Sequence, residues 1–414
     1  MLEQIEGSLG VAKAVALCRP GVVCAYPISP QTHIVENVGK FVKNGTLKDC
    51  DFLNVESEFS AISVAIGSEV GGARTYTATA SQGLLYMTEG VYSASGLGLP
   101  IVMTVASRAI GGPINIWNDH SDSLSQRDSG WLQLFCESNQ DAVDTHIMAF
   151  KIAEEVGLPV MVCMDGFVLT HAFERLDIPS QETVDKFLPE YQPREYLTPK
   201  EPVSIGAMVG PEAFTEVRFL QQRKMAKALK VIEKVTKEYR DLTGSKSGGL
   251  LDCYNCENAA LKLVIMGSTV GTAKDEIDRL KAEGINVGII SLKSFRPFPY
   301  EAMAKAIGDT KKVICLERAF SFGARGIVCP EVKRAMEGKN CDVKTVVAGL
   351  GGRPIFGTTI RGIVKDALAD KFTEEFTWFD VNADVLNSYT DKTEGVTFKN
   401  GPIAQSVLEN SVKD

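Results

Sequence analysis

The chain has 414 residues, 44% hydrophobic and 23% charged, a globular composition with room for two or three domains that excludes a disordered or fibrous chain. Its 44 basic residues against 52 acidic ones leave a net charge of −8, so no nucleic-acid or anionic-lipid face is expected at the level of the whole chain. No apolar run approaches the roughly 18 residues of a membrane helix, and Glu3 and Glu6 stand where a secretory leader carries bases, so a cytoplasmic protein is expected.

From residue 9 to about 180, apolar and β-branched runs at 21–26, 73–78, 99–106 and 158–163 alternate with helix-length segments. Strands without polar alternation, spaced by helices, predict a parallel sheet covered on both faces. Between them, 58–70 carries Phe59, Ile62, Ala65, Ile66 and Glu69, and 141–156 has apolar residues at helical spacing. After Pro179 the chain turns irregular, then becomes a long charged helix over 211–241. Thr243-Gly-Ser-Lys-Ser-Gly-Gly249 predicts a flexible break after it. A second βα series follows, with strands at 261–266, 286–292, 311–316 and 343–349 and a helix over 272–283. The expected organisation is α/β throughout: a first domain with its connector helix over 1–240, a linker over 241–257, and a smaller domain over 258–372. An acidic, aromatic extension over 373–414 shows no core of its own and is expected to pack on a neighbour.

Most of the ten cysteines lie in apolar stretches, as buried reduced thiols do, and no disulfide framework is expected. Cys253-Tyr-Asn-Cys256 is the one close pair; with no second such pair to complete a cluster or zinc site it reads as structural, a redox role being the alternative. Gly349-Leu-Gly-Gly lacks the third spaced glycine of a dinucleotide loop, and Gly267-Ser-Thr-Val-Gly271 lacks the Gly-Lys-Ser/Thr end of a phosphate loop. His33, His120, His146 and His171 are scattered without ligand spacing, so no metal site is expected.

Open parallel sheets bind ligands beyond the carboxyl ends of their strands, and three polar groups fall there. Two prolines in Tyr26-Pro-Ile-Ser-Pro-Gln-Thr32 make a rigid loop presenting Ser29 and Thr32, either of which also suits a helix cap. Glu58 opens an apolar helix, where an acid commonly matches the helix dipole. Arg108 ends an apolar strand, where a domain-surface ion pair is the simpler use.

In order and spacing these segments resemble the α subunit, or its fused equivalent, of the 2-oxoacid:ferredoxin oxidoreductases, the pyruvate synthase family. The resemblance spans most of residues 9–365. It is carried by Ala25-Tyr-Pro-Ile-Ser-Pro-Gln-Thr32, Val55-Glu-Ser-Glu-Phe-Ser-Ala61, Thr79-Ala-Ser-Gln-Gly-Leu84, Asn118-Asp-His-Ser-Asp-Ser-Leu-Ser-Gln-Arg-Asp-Ser-Gly-Trp131, Phe295-Arg-Pro-Phe-Pro299 and Phe320-Ser-Phe-Gly323. It implies a thiamine-diphosphate pyrimidine-type parallel-sheet domain followed by a transketolase C-terminal-like α/β domain. It further implies that Glu58 is the acid that hydrogen-bonds the aminopyrimidine, in an apolar setting that Phe59, Ala61 and Ile62 are expected to supply. Ser81 and Gln82 join Glu58 as cofactor-binding residues, and Arg108 with Ser29 would take the carboxylate of a 2-oxoacid. Ser29 replaces the family's threonine, keeping the donor while losing a methyl. Ile114 and Ile116 match apolar pocket residues.

The chain contains no Gly-Asp-Gly, the element by which thiamine enzymes bind Mg2+ and diphosphate, and too few spaced cysteines for iron–sulfur clusters. The resemblance therefore implies a cofactor shared with a β subunit that holds Mg2+, and 4Fe-4S clusters in partner subunits of γ type and ferredoxin-like δ type. Coenzyme A would be the co-substrate, and ferredoxin or an NAD-linked carrier the acceptor. The loop Ala109-Ile-Gly-Gly-Pro-Ile-Asn-Ile-Trp117 has no cation for a second carboxylate. A monocarboxylic substrate is expected, pyruvate first, with a branched or aromatic 2-oxoacid such as phenylglyoxylate as the alternative. A non-catalytic scaffold for electron carriers, and a transketolase-like enzyme without redox chemistry, remain as other classes.

Overall fold

The structure, a computed structural model, describes residues 2–390. Thr75–Thr79, Val102–Ser107 and Val160–Asp165 are buried along their whole length. Helices cover both their faces, which is why they read as unbroken runs. They form the middle of a seven-stranded sheet in the order Ser294–Arg296, Leu132–Phe135, Val160–Asp165, Val102–Ser107, Thr75–Thr79, Val22–Ala25, Asp51–Asn54. All are parallel except Ser294–Arg296, which the second domain lends antiparallel to Leu132–Phe135. The chain goes outward from Val22–Ala25 to Asp51–Asn54 and then back across to Thr75–Thr79, so the strand order reverses between the first and third of these. Loops diverge from such a reversal and leave a crevice above it.

Helix Asn139–Val156 lies against the long helix Phe214–Thr243, which buries Ala228, Val231, Ile232, Val235 and Tyr239. Tyr239 donates its hydroxyl to Asp144 Oδ1 at 2.7 Å. The long helix ends on Gly244, whose φ of +74° suits glycine at that turn.

The second sheet runs Phe376–Trp378, Asp342–Val347, Lys312–Glu317, Leu261–Ile265, Val287–Leu292, Leu251–Tyr254, the last antiparallel. Two segments differ from the sequence expectation. Leu251–Tyr254, inside the expected linker, is an edge strand of this sheet. Phe376–Trp378, inside the stretch expected to have no core, pairs in parallel with Asp342–Val347. Both are too short for a periodic signal and are held by their neighbours. Helix Ala383–Thr390 follows; residues 391–414 of the expected extension lie outside the described residues.

The domains meet at Asp165, at the carboxyl end of its strand. Its carboxylate takes His120 Nε2 at 2.7 Å, Arg318 Nη1 at 2.8 Å and the Ser268 backbone N–H at 2.9 Å, with the Ser268 hydroxyl also donating. Burial alone would raise its pKa, but Arg318 and the His120 ring hold it well below the usual carboxylate range. A folded-state pKa below the unfolded one stabilises the protein at neutral pH, and that contribution is lost as the pH falls below about 4. Arg318→Met leaves this carboxylate buried without its strongest partner and is expected to cost about 3–5 kcal/mol at pH 7. Urea unfolding at pH 7 and pH 3 checks this, the deficit shrinking at the lower pH.

Candidate active site at the strand reversal

Loop 26–31 leaves Val22–Ala25 directly over the crevice. Gln31, fully buried, ties it to the neighbouring strand by donating Nε2–H to the Ala78 carbonyl at 2.6 Å. Ser29 is exposed, and its carbonyl accepts from Arg108 Nη1 at 2.8 Å. Arg108 is buried and bonds three segments at once. Besides Ser29, Nε donates to the Asn115 carbonyl at 3.0 Å and Nη2 to Gln82 Oε1 at 3.3 Å. A guanidinium has five N–H donors, so these bonds leave two.

Asp122 joins the same strand ends from below. Its Oδ2 accepts the Ser81 N–H at 2.8 Å and the Arg108 N–H at 2.9 Å, and its Oδ1 accepts the Ser123 N–H at 2.6 Å. Ser81 sits at φ +50°, where a side chain strains the backbone, and is held there by Asp122 and by its own hydroxyl donating to Ala109 O at 2.5 Å. The Ser81 hydroxyl also meets Gln82 Oε1. Burial pushes the Asp122 carboxyl up to about 6, against the pull of the three N–H donors.

Glu58 starts helix Glu58–Val70, capped by Ser57, whose hydroxyl accepts from Ser60 N. Its side chain is buried, yet among the described residues its carboxyl makes no hydrogen bond. It lies against Gly83 and Thr79: a Cβ on Gly83 would stand 2.6 Å from both Glu58 Oε1 and Thr79 Oγ1. Thr79 Oγ1 is itself buried without a partner. Buried polar groups are nearly always bonded, so the unsatisfied Thr79 hydroxyl and the unpartnered Glu58 carboxyl facing one glycine describe a place for a polar ligand. Of the expected apolar neighbours, Ala61 and Ile62 are buried on the same helix, whereas Phe59 is half-exposed and turns to Tyr86, ring centroids 6.2 Å apart.

The structure thus brings Ser29, Arg108, Ser81 and Gln82 into one bonded set beside Glu58. Ile114 and Ile116 project from loop 109–117 with 77% and 42% exposure. Thr79, Asn115 and Asp122 belong to the site and were not singled out. Asp122 does lie in the stretch 118–131 that carried the resemblance, but an acid among serines and a second acid reads as solvated loop.

The first part of the chain, residues 13–237, matches the family model described as "Pyruvate flavodoxin/ferredoxin oxidoreductase, thiamine diP-bdg", and residues 259–360 match "Pyruvate:ferredoxin oxidoreductase core domain II". The chain is 44% identical over 367 residues to the pyruvate synthase subunit PorA of Methanosarcina barkeri, covering 87% of this chain and 91% of that one. It is 46% identical over 365 residues to PorA of Methanocaldococcus jannaschii, covering 87% and 93%. With the ketoisovalerate oxidoreductase subunit VorA of Pyrococcus horikoshii it shares 38% over 382 residues, covering 91% and 97%. Among solved structures it superposes on the 2-oxoglutarate:ferredoxin oxidoreductase of Magnetococcus marinus with a TM-score of 0.66 at 21% identity, covering 89% of this chain and 65% of that one. A split-gene transketolase gives a TM-score of 0.53 at 14% identity, covering 89% and 99%. These structural likenesses show the fold: two parallel-sheet α/β units of transketolase type.

A carboxyl whose folded pKa is raised stabilises the fold most below its unfolded value near 4, and loses that advantage as the pH rises through its folded value. For Asp122 that interval is about 4 to 6. The stability of wild type minus that of Asp122→Asn is expected to fall across this interval, because the amide does not ionise. Urea unfolding of both proteins at several pH values reads it.

Proposed function

The chain belongs to the pyruvate flavodoxin/ferredoxin oxidoreductase family, and on that footing we propose that it is the α subunit of a CoA-acylating 2-oxoacid oxidoreductase acting on a monocarboxylic 2-oxoacid, pyruvate first. The reaction converts the 2-oxoacid, CoA and an oxidised acceptor to acyl-CoA, CO2 and reduced acceptor. The observation that carries the reading is the buried, unpartnered carboxyl of Glu58 against Gly83 and Thr79.

Those residues fit thiamine diphosphate, which when bound supplies a carbanion-forming carbon for decarboxylation of 2-oxoacids. Glu58 would hold the aminopyrimidine through a hydrogen bond between its carboxyl and the ring nitrogen. Ser81 and Gln82 shape the crevice wall. The two free donors of Arg108, with the exposed Ser29 hydroxyl next to it, bind the substrate carboxylate. Because Arg108 is fixed by three bonds before substrate arrives, little ordering is needed on binding.

With no Gly-Asp-Gly in the chain, the diphosphate and Mg2+ fall to a β-type partner. The 4Fe-4S clusters that take the electrons fall to γ- and δ-type partners, and ferredoxin or an NAD-linked carrier receives them. Loop 109–117 carries no Lys or Arg, so a second substrate carboxylate would be buried unpaired at a cost of several kcal/mol. The PorA relatives favour pyruvate, and the VorA relatives support a branched 2-oxoacid as the second reading.

Glu58→Gln in the assembled complex is expected to lower kcat by about 10²–10⁴-fold with subunit composition unchanged; near-wild-type turnover contradicts the assignment. Comparing kcat/KM for pyruvate, 2-oxoisovalerate, phenylglyoxylate and 2-oxoglutarate settles the substrate. Preference for 2-oxoglutarate contradicts the charge argument, whereas preference for 2-oxoisovalerate or phenylglyoxylate contradicts only the choice of pyruvate.

A further inference from the structure

Behind the substrate loop, three side chains distant in sequence converge. Glu6 ends strand Leu2–Glu6, His33 lies in the first turn of helix Thr32–Lys43, and His171 lies in the turn before strand Phe173–Asp177. The pairing of Glu6 with Phe173, and the bond from Gly7 N–H to the Ala172 carbonyl at 2.9 Å, set the first and third side by side. His33 Nδ1 is 2.8 Å from Glu6 Oε1, and the two imidazole rings face each other with centroids 4.7 Å apart and planes tilted by 34°. One ligand atom from each of the three residues lies within 4.8 Å of the other two.

From this convergence we propose a divalent metal site of two imidazoles and one carboxylate, formed by Glu6, His33 and His171 and suited to Zn2+ or a neighbouring late transition metal. Ligand atoms bound at about 2.0–2.2 Å from one ion stand less than about 4.5 Å apart, so small rotations of the half-buried Glu6 and His171 and of the exposed His33 close the set. Imidazole nitrogen favours Zn2+, Co2+ and Ni2+ over Mg2+ and Ca2+, which prefer all-oxygen shells. His171 Nδ1 is engaged with Thr170 Oγ1 at 2.7 Å, which fixes the ring and leaves Nε2 as the nitrogen to give to an ion. Three protein ligands leave the remaining positions to water.

The ion would tie together three elements that bear on the substrate loop. His33 follows loop 26–31 by two residues, in the first turn of its helix. Phe167 stacks on His171 at 4.8 Å and on Trp117 at 4.9 Å, and a Cβ at Gly166 would stand 2.5 Å from Pro30 Cγ. Bound there, the ion would bear on the positions of loops 26–31 and 109–117.

The test is titration of the metal-stripped full chain with Zn2+ by calorimetry, with X-ray absorption on the loaded protein. One Zn2+ per chain, unaffected by excess Mg2+, with nitrogen and oxygen scatterers at about 2.0–2.2 Å and no sulfur, is the expected result. His33→Gln and His171→Gln should each weaken binding by roughly ten-fold or more, and a Cys253→Ser, Cys256→Ser double variant should bind as wild type does. Absence of saturable binding, sulfur in the metal shell, binding that survives both histidine changes, or loss of binding in the cysteine variant each overturns the proposal. Should a histidine variant fail to fold, the scatterers in the wild-type protein decide.

Discussion

The buried carboxylate of Asp165 ties the two sheets at their strand ends, beside the strand Ser294–Arg296 that the second domain adds to the first sheet, and through residues 115–120 it bears on the loop that holds Arg108. Arg318 and Ser268 reach it from the second domain and His120 from the first. The contact does not end there. Arg318 also donates to the Asn118 carbonyl at 3.3 Å, His120 N–H bonds the Arg318 carbonyl at 2.9 Å, and Asp119 accepts from Gly351 N–H at 3.1 Å. Asn115 donates to the Gly351 carbonyl at 3.1 Å while its own carbonyl takes Arg108 Nε. The second domain therefore acts on the site without supplying a group to it: it grips residues 115–120, and these orient the guanidinium. Charged groups this deep are costly unless fully paired, which makes the arrangement specific to one placement of the domains.

The same logic recurs one layer closer to the crevice. Asp122 draws the first residues after two neighbouring strands onto one oxygen, and the strain at Ser81 is the local cost of that convergence. Preorganisation of this kind suits a site that binds a small carboxylate, because the donors stand in place before the ligand arrives. It also separates the labour. Arg108 and Ser29 stand at one end of the crevice with free donors, while Glu58, Thr79 and Gly83 form another with unsatisfied polar atoms.

How much of this was legible in the sequence follows from the kind of signal each part sends. Thr75–Thr79, Val102–Ser107 and Val160–Asp165 announce themselves because strands covered on both faces carry no polar alternation. The helix Glu58–Val70 shows itself by apolar residues at helical spacing. Asp51–Asn54, Leu132–Phe135, Ser294–Arg296 and Phe376–Trp378 are three or four residues long, below what periodicity resolves, and exist because a neighbouring strand offers hydrogen bonds. Ser29, Glu58, Ser81, Gln82 and Arg108 stand out in the sequence because they sit at strand or helix ends. Asp122 and Thr79 do not, since what distinguishes them is the partner each has or lacks in three dimensions. The meeting of His33 with Glu6, 27 residues apart, and with His171 depends wholly on strand pairing.

The account rests on Glu58 acting directly on the cofactor's pyrimidine, and proton exchange at the thiazolium C2 reads that step apart from every later one. In the purified, assembled complex, deuterium exchange at C2 of bound thiamine diphosphate, followed by acid quench and NMR, should slow by about 10²–10⁴-fold in Glu58→Gln while the cofactor stays bound. An unchanged exchange rate with cofactor retained would contradict the assignment of Glu58, and with it the central reading of the crevice.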